Sequence, residues 1–189
     1  MNLDYIYHTA RLSLRPYKSA DLLPHLEAVH ESLSDLTPWL EWCGDSYNQH
    51  DANEWIATSR VNWRSDVCYE LAIFDRCSDT FIGSISLYDV LVNSNSANVG
   101  YWIRSSHHRK GIASEALHVI CRLAFITLGL TRLDIVTHPD NIASQRTALT
   151  SGAKFEGLLR NKIMMYGKPI DANLYSIIPS DTKLLDEAF

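Results

Sequence analysis

The residues best suited to chemistry lie in the run Tyr101-Trp102-Ile103-Arg104-Ser105-Ser106-His107-His108-Arg109-Lys110-Gly111-Ile112-Ala113-Ser114. A strand-like Tyr-Trp-Ile breaks into a turn rich in His, Arg and Lys, and one glycine, small side chains and a helical apolar pattern follow. The first turn of a helix carries unpaired N–H groups and a partial positive charge, and after a tight turn it can bind phosphate through main-chain donors. Gly111 lets a phosphate approach the backbone with no Cβ in the way. Ala113 and Ser114 keep the first turn small, and Arg109 and Lys110 add positive charge. The chemistry predicted is a pyrophosphate held by the amides from His108 through Ile112 to Ser114. On this stretch alone a plainer alternative stays open: a glycine turn before a core helix, with solvated cations. Neither G-x-x-x-x-G-K-[ST] nor G-x-G-x-x-G occurs in the chain.

A second constellation is Asn141 and Ser144, three residues apart and so on one face of a first helical turn. Ala148 continues that side and Gly152 ends the helix. Simple N-capping by Asp140 or Asn141 is one explanation. Capping does not explain why the pair closely follows a strand and lies one strand–helix unit after the phosphate-type turn.

The elements that must position these residues can be read from periodicity. Leu12 and Leu14 alternate in a first strand ending at Pro16. Ser19 is a candidate N-cap and Asp21 a first-turn acid. Leu22, Leu26, Val29 and Leu33 then form one face of a helix that tolerates Pro24 in its first turn. Residues 34–46 read as a loop with aromatics, and residues 50–65 as a second helix with a ragged apolar pattern at Trp55, Ile56, Ser59, Val61 and Trp63. Two strands at 68–75 and 81–90 make an antiparallel pair, and Ala97 to Ile103 is the next strand. Ile112, Ala116, Ile120, Leu123 and Ala124 mark a long helix closed by Gly129. A strand at 132–138, a helix from Asn141 to Gly152 and strands at 153–160 and 173–179 complete the order β-α-α-β-β-β-α-β-α-β-β. The class is therefore α+β or mixed α/β. With no repeat or low-complexity linker, residues 1–189 read as one domain.

Bulk composition agrees with that reading. The chain has 189 residues, 46% hydrophobic and 21% charged, enough for a sizeable core. A net charge of −5 and a pI near 5.9 argue against direct nucleic-acid binding. No secretory signal and no membrane-spanning run is expected: the most apolar stretch, residues 120–130, is short and holds Arg122, Thr127 and Gly129. Cys43, Cys68, Cys77 and Cys121 show neither C-x-x-C nor zinc-type spacing, which predicts reduced thiols, no metal and a cytoplasmic protein.

Taken together, the phosphate-type turn and the Asn141/Ser144 segment resemble the GNAT superfamily of acyl-CoA-dependent N-acetyltransferases. The phosphate-loop pattern of that superfamily, Q/R-x-x-G-x-G/A, is met by His108-Arg109-Lys110-Gly111-Ile112-Ala113, except that His108 stands where Gln or Arg is usual. The strand "NVGYWI" is similar to the superfamily's splayed fourth strand. "LTPWLEW", "VGYWI", "DNIASQRTALTSGAKFEGLLR" and "DANLYSI" resemble the RimJ/RimL branch, which acetylates N-terminal amines of ribosomal proteins, and together they span Leu12 to Ile178.

The resemblance implies a mostly antiparallel central sheet of about 6–7 strands flanked by about 4 helices, with acetyl-CoA as co-substrate. Transfer to an amine would be direct, with no covalent enzyme intermediate. It implies Ser144 as the acid for the leaving thiolate, Asn141 as a holder of the pantetheine arm or of the start of its helix, and an N–H near Trp102 or Ile103 as the group polarising the carbonyl. For the base it leaves Glu41, Glu70 and Asp171, because Asn98 stands where many relatives carry a Glu beside Gly-Tyr-Trp; a water relay is the alternative. Trp39, Trp42 and Tyr175 would wall an acceptor pocket, with ordinary core burial as the other explanation for them. The acceptor would be the N-terminus of a ribosomal or other protein, or else a small amine; a binding module without catalysis is a third possibility, favoured by Asn98 and His108. A homodimer is compatible with the branch.

Overall fold

The computed structural model describes residues 2–91 and 93–182. The strands are β1 (Tyr7–His8), β2 (Leu12–Pro16), β3 (Tyr69–Asp75), β4 (Phe81–Leu91), β5 (Ser96–Ile103), β6 (Arg132–Thr137), β7 (Lys154–Met165) and β8 (Lys168–Ile177). The helices are α1 (Leu22–Glu31), α2 (Leu33–Leu36), α3 (Gln49–Arg64), α4 (Ile112–Arg122) and α5 (Ile142–Thr150). The strands form one eight-stranded sheet in the order β1-β2-β3-β4-β5-β6-β8-β7. Every neighbouring pair is antiparallel except β5 with β6.

The alternation along the strands divides the core in two. Leu71 and Ile73 of β3 belong to a large cluster with Leu12, Leu14, Ile85, Val99 and the α4 residues Ala116, Leu117 and Ile120. Ala72 and Phe74, one residue out of phase, belong to the cluster with Val29 of α1, Leu36 of α2, Ile56 of α3 and Trp102 of β5. Helices α1, α2 and α3 thus cover one face of the sheet and α4 the other, the three-layer solution for a sheet apolar on both sides. Among the described residues no helix is long and apolar enough to cross a membrane.

The mixed α/β class expected from the sequence is the class found, with differences in count and extent. Among the described residues eight strands replace the expected 6–7 or so, and five helices the expected 4 or so. Strand β1 has two residues and α2 four, too few for either to show a period. Ser32, with φ −107°, interrupts what the sequence pattern suggested was one helix through Leu33. Strands β7 and β8 are longer than expected and meet directly at Tyr166-Gly167, both with positive φ (49° and 71°). Tyr at such a position is not part of the usual hairpin vocabulary of Asn-Gly or Asp-Gly. In β7 the register also shifts between Leu159 and Ile163, where Asn161 has φ 51°, and that bulge hides the alternation.

The single parallel pair matters most for the site. β5 and β6 stay in register only over Ser96↔Arg132, Ala97↔Leu133 and Asn98↔Asp134. Beyond that point β5 runs on to Ile103 and β6 to Thr137 without pairing to each other, so the sheet opens between them. On its other edge β5 stays laddered to β4 as far as Gly83↔Ile103. A Cβ on Gly83 would lie 2.3 Å from the Trp102 carbonyl oxygen, so a side chain there would push β5 out of place.

Candidate active site

The opening exposes a definite set of main-chain groups. Arg104 N–H donates to the Ile82 carbonyl (2.9 Å), so the facing pairs Trp102↔Ser84 and Gly100↔Ser86 are the hydrogen-bonded ones of the antiparallel ladder. Their neighbours Val99, Tyr101 and Ile103 therefore turn their N–H and C=O groups toward the opening. The amide of Trp102 is taken up by β4; those of Tyr101 and Ile103 face the gap.

At the end of β5 the chain makes a single 3-10 turn, Ser105–His107, and enters α4 through Gly111. Gly111 is left-handed (φ 73°) and so is Arg109 (φ 60°), a backbone curl that points successive N–H groups to one side. Among the described residues the amides of residues 109–114 have no protein acceptor; the first satisfied one is Glu115, which donates to Gly111 (3.1 Å). The predicted cradle thus has free donors at a helix N-terminus.

The cations of the loop divide unevenly. Lys110 Nζ donates to the Ser106 carbonyl (2.9 Å), while Arg109 has no partner among the described residues. Ser114 Oγ lies 3.1 Å from Thr150 Oγ1, tying α4 to α5. Two residues that sequence reasoning missed brace the loop from outside. Arg11 donates to the Lys110 carbonyl (2.9 Å) and to Glu115 (2.7 Å), and its guanidinium lies 3.7 Å from where a Gly111 Cβ would be. Thr9 also donates to Glu115. No local pattern could reveal a contact between residues so far apart in the chain.

On the far side of the opening Asn141 caps α5, its Oδ1 accepting from Ser144 N–H (3.0 Å). The Tyr101 hydroxyl donates to the Ser144 carbonyl (2.9 Å) and lies 3.1 Å from Ser144 Oγ. Burial pushes the Tyr101 phenol up to about 12. Two hydroxyls therefore meet where β5 and α5 face each other across the gap. Sequence reasoning singled out Ser144 but not its partner Tyr101.

A cavity of about 200 Å³ opens beside Gly100, Tyr101 and Trp102, lined also by Leu40, Trp42, Trp55, Glu70, Ser84 and Ser86. Its floor follows from register: Glu70 pairs with Ser86 on β4, and Ser86 with Gly100 on β5. The row runs carboxylate, hydroxyl, hydrogen, and a Cβ on Gly100 would crowd the Tyr88 ring at 3.2 Å. Glu70 Oε2 is buried and has no hydrogen-bond partner among the described residues. Burial pushes the Glu70 carboxyl up to about 7, with the Cys68 thiol, which donates to Oε1 at 3.7 Å, opposing.

The remaining expected residues are distributed as follows. Trp42 lines the cavity and is 46% exposed. Trp39 packs on His138 at a centroid distance of 5.4 Å. Glu41 accepts from Tyr166 N–H, and the Tyr166 hydroxyl donates to the Thr37 carbonyl (2.9 Å). Glu41 thereby clasps the loop after α2 to the β7–β8 turn and lies outside the cavity lining. Asp171 accepts from Asn161 N–H (2.8 Å) in the bulge of β7, and Tyr175 is buried with its hydroxyl donating to Gln145 (3.2 Å). The structure brings together Glu70, Trp42, Trp102, Tyr101 and Ser144 around one stretch of β5, and leaves Glu41, Asp171 and Tyr175 elsewhere. Asn98 donates to Asp89 (2.9 Å). Among the described residues no group of three His, Cys, Asp or Glu side chains is placed to hold a metal ion.

The acetyltransferase (GNAT) domain family matches residues 11–154. The chain is 33% identical over 158 residues to the ribosomal-protein-serine acetyltransferase of Escherichia coli, a match covering 82% of this chain and 87% of that protein. It is 37% identical over 103 residues to the uncharacterized N-acetyltransferase YoaA of Bacillus subtilis, covering 54% of this chain and 58% of YoaA, so that match spans less than two thirds of the relative. Among solved structures, a Vibrio cholerae protein provisionally described as a ribosomal-protein-serine acetyltransferase superposes with a TM-score of 0.85 at 32% identity, over 95% of this chain and all of that one.

Proposed function

Because the chain belongs to the GNAT acetyltransferase family, we propose that it moves an acetyl group from acetyl-CoA directly to a primary amine, and that the amine is the N-terminal α-amine of a ribosomal or other protein. One observation carries this reading. The unpaired edge of β5 has a free-amide cradle at its end, a half-buried carboxylate in a cavity on one side, and a hydroxyl pair on the other. The acceptor class rests on the similarity to the Escherichia coli enzyme named above, and a cytoplasmic location belongs to the same proposal.

In this mechanism the amides of residues 109–114 hold the pyrophosphate, with Arg109 as the free cation beside them. The cleft-facing groups of Val99 and Tyr101 and the N–H of Ile103 pair with the pantetheine arm as an added strand would. The N–H of Tyr101 or Ile103 polarises the thioester carbonyl, a donor fixed in place before charge develops. The amine enters the cavity between Trp42, Trp55 and Trp102, whose ring faces favour a cation. Strand spacing sets the backbones of β3 and β5 about 10 Å apart, so Glu70 reaches the amine through its own side chain or through one water. A carboxylate pushed up to about 7 is close in pKa to an α-amine, near 8, and accepts its proton with little mismatch. The new C–N bond forms, the C–S bond breaks, and the Ser144–Tyr101 pair supplies a proton to the leaving sulfur.

Two assays test the proposal together. Acetyl-CoA is expected to raise the melting temperature, and thiol release is expected with peptides bearing a free N-terminus and not with the same peptides blocked. Release with small amines alone would move the acceptor class, and no stabilisation by CoA or acetyl-CoA would remove the reading altogether.

A further inference from the structure

We propose that His108 is a positioning residue for the transfer step. Its imidazole pins the Ile103 carbonyl and so fixes the Ile103–Arg104 peptide, the neighbour of the one whose N–H, that of Ile103, faces the opening. The inference rests on the N-acetyltransferase reading only for its consequence; the pin itself is geometry.

Ile103 is the last residue of β5, and its carbonyl is one of the groups that turn toward the gap. With β6 out of register beyond Asn98, no strand is there to receive it. His108 fills that place: Nε2 lies 2.7 Å from the Ile103 oxygen. A carbonyl can only accept, so Nε2 carries the proton. On the other edge the next residue's N–H donates to Ile82 (2.9 Å). The final peptide of the strand is therefore held at both ends, while the N–H of Ile103 stays free for a ligand.

The imidazole is itself braced. The His108 main-chain N–H donates to the Ser105 carbonyl (3.1 Å), which folds the ring back over the 3-10 turn to the strand end. Its Nδ1 is 3.9 Å from Asp35 of α2, and Asp35 accepts from the Ser105 hydroxyl. Ser105 N–H donates to the buried Ser32 (3.0 Å), and Ser106 N–H to Glu31 (3.1 Å), which also pairs with Arg104 (2.6 Å). The turn is thus fastened to the α1–α2 junction, and His108 is the side chain that passes this support on to β5. It stands between the phosphate cradle and the polarising amide without being part of either.

The consequence is a split between binding and turnover. Displacing a reacting group by about 1 Å can cost on the order of 100-fold in rate, whereas the cradle amides of residues 109–114 do not depend on the imidazole. His108→Leu, which keeps bulk and removes the donor, is expected to lower kcat about tenfold or more while the acetyl-CoA Kd stays within about threefold. His108→Gln, whose amide can donate to the same carbonyl, is expected to stay within about threefold of wild type in kcat. In the unliganded protein the carbonyl ¹³C resonance of Ile103 is expected to shift in His108→Leu and to return toward wild type in His108→Gln. Equal losses in the Leu and Gln variants, a loss confined to acetyl-CoA affinity, or an unmoved Ile103 resonance in His108→Leu would each overturn the proposal. If the wild-type protein transfers no acetyl group, the functional reading fails, and the resonance still reports on the pin.

Discussion

The two ends of the β5–β6 opening are built on different principles. At the proposed cofactor end the groups on offer are main-chain amides of residues 109–114, shaped by the positive φ of Arg109 and Gly111 and braced by Arg11, Glu115, Glu31 and Asp35. At the acceptor end they are side chains drawn from β3, α3 and the loop after α2, and the central one, Glu70, has a buried oxygen with no hydrogen-bond partner among the described residues. A main-chain cradle tolerates exchange of its side chains because the donors stay. A side-chain cavity changes its chemistry with each substitution. Under the proposed function, specificity and proton transfer are therefore concentrated at the acceptor end and anion binding at the other.

Substitutions at the two ends should separate cleanly in their effects. The largest is expected for Glu70→Gln: kcat/KM falls about 100-fold or more at pH 8, while acetyl-CoA affinity by titration calorimetry is unchanged. A parallel loss of affinity would break the division between the ends. Gly111→Ala should do the reverse. Its left-handed residue costs about 1–2 kcal/mol without glycine, which weakens acetyl-CoA binding about tenfold and leaves kcat at saturating cofactor near wild type. Ser144→Ala is expected to lower kcat about fivefold to tenfold, with a smaller loss if Tyr101 supplies the proton instead; single-turnover rates of both hydroxyl variants decide which one acts. The smallest effect belongs to Glu41→Gln. It loosens the clasp to Tyr166 by about 1 kcal/mol or less, read as a slight fall in melting temperature with kcat unchanged.

Glu70 also gives the acceptor end a pH signature. Its pKa is about 7 folded against an ordinary 4.5, so the folded state binds the extra proton between those values. The stability it contributes is fully present below about pH 4.5 and is lost as pH rises through about 7. Glu70→Gln should remove that fall and be the more stable protein at pH 8 by on the order of 1–3 kcal/mol, in denaturant titrations at both pH values. Its rate profile should lack the rise expected of the wild type through pH 7.

What could be read from the sequence follows the same division. The cradle is a contiguous run, so glycine, small residues and helix onset announce it together. The strand before it and the Asn141 cap are likewise local. Glu70 could not be told from Glu41 or Asp171, because what isolates it is a row across three strands, Glu70–Ser86–Gly100, and nothing local marks that register. Tyr175 has the aromatic character of a pocket wall but points its hydroxyl at Gln145, since its side of β8 packs under α5. Trp102 was a candidate for its N–H, yet strand alternation gives that N–H to β4 and leaves those of Tyr101 and Ile103.

The central claim is that one cleft brings a thioester and an amine together for direct transfer. It is tested most directly by a single turnover with the protein in excess over acetyl-CoA, in the presence of a free-N-terminus peptide, with intact-mass analysis of both partners. The account predicts that the acetyl group appears on the peptide N-terminus in step with thiol release, and at no time on the protein. An acetylated protein that later passes the group on, or thiol release with no acetylated peptide, would contradict it.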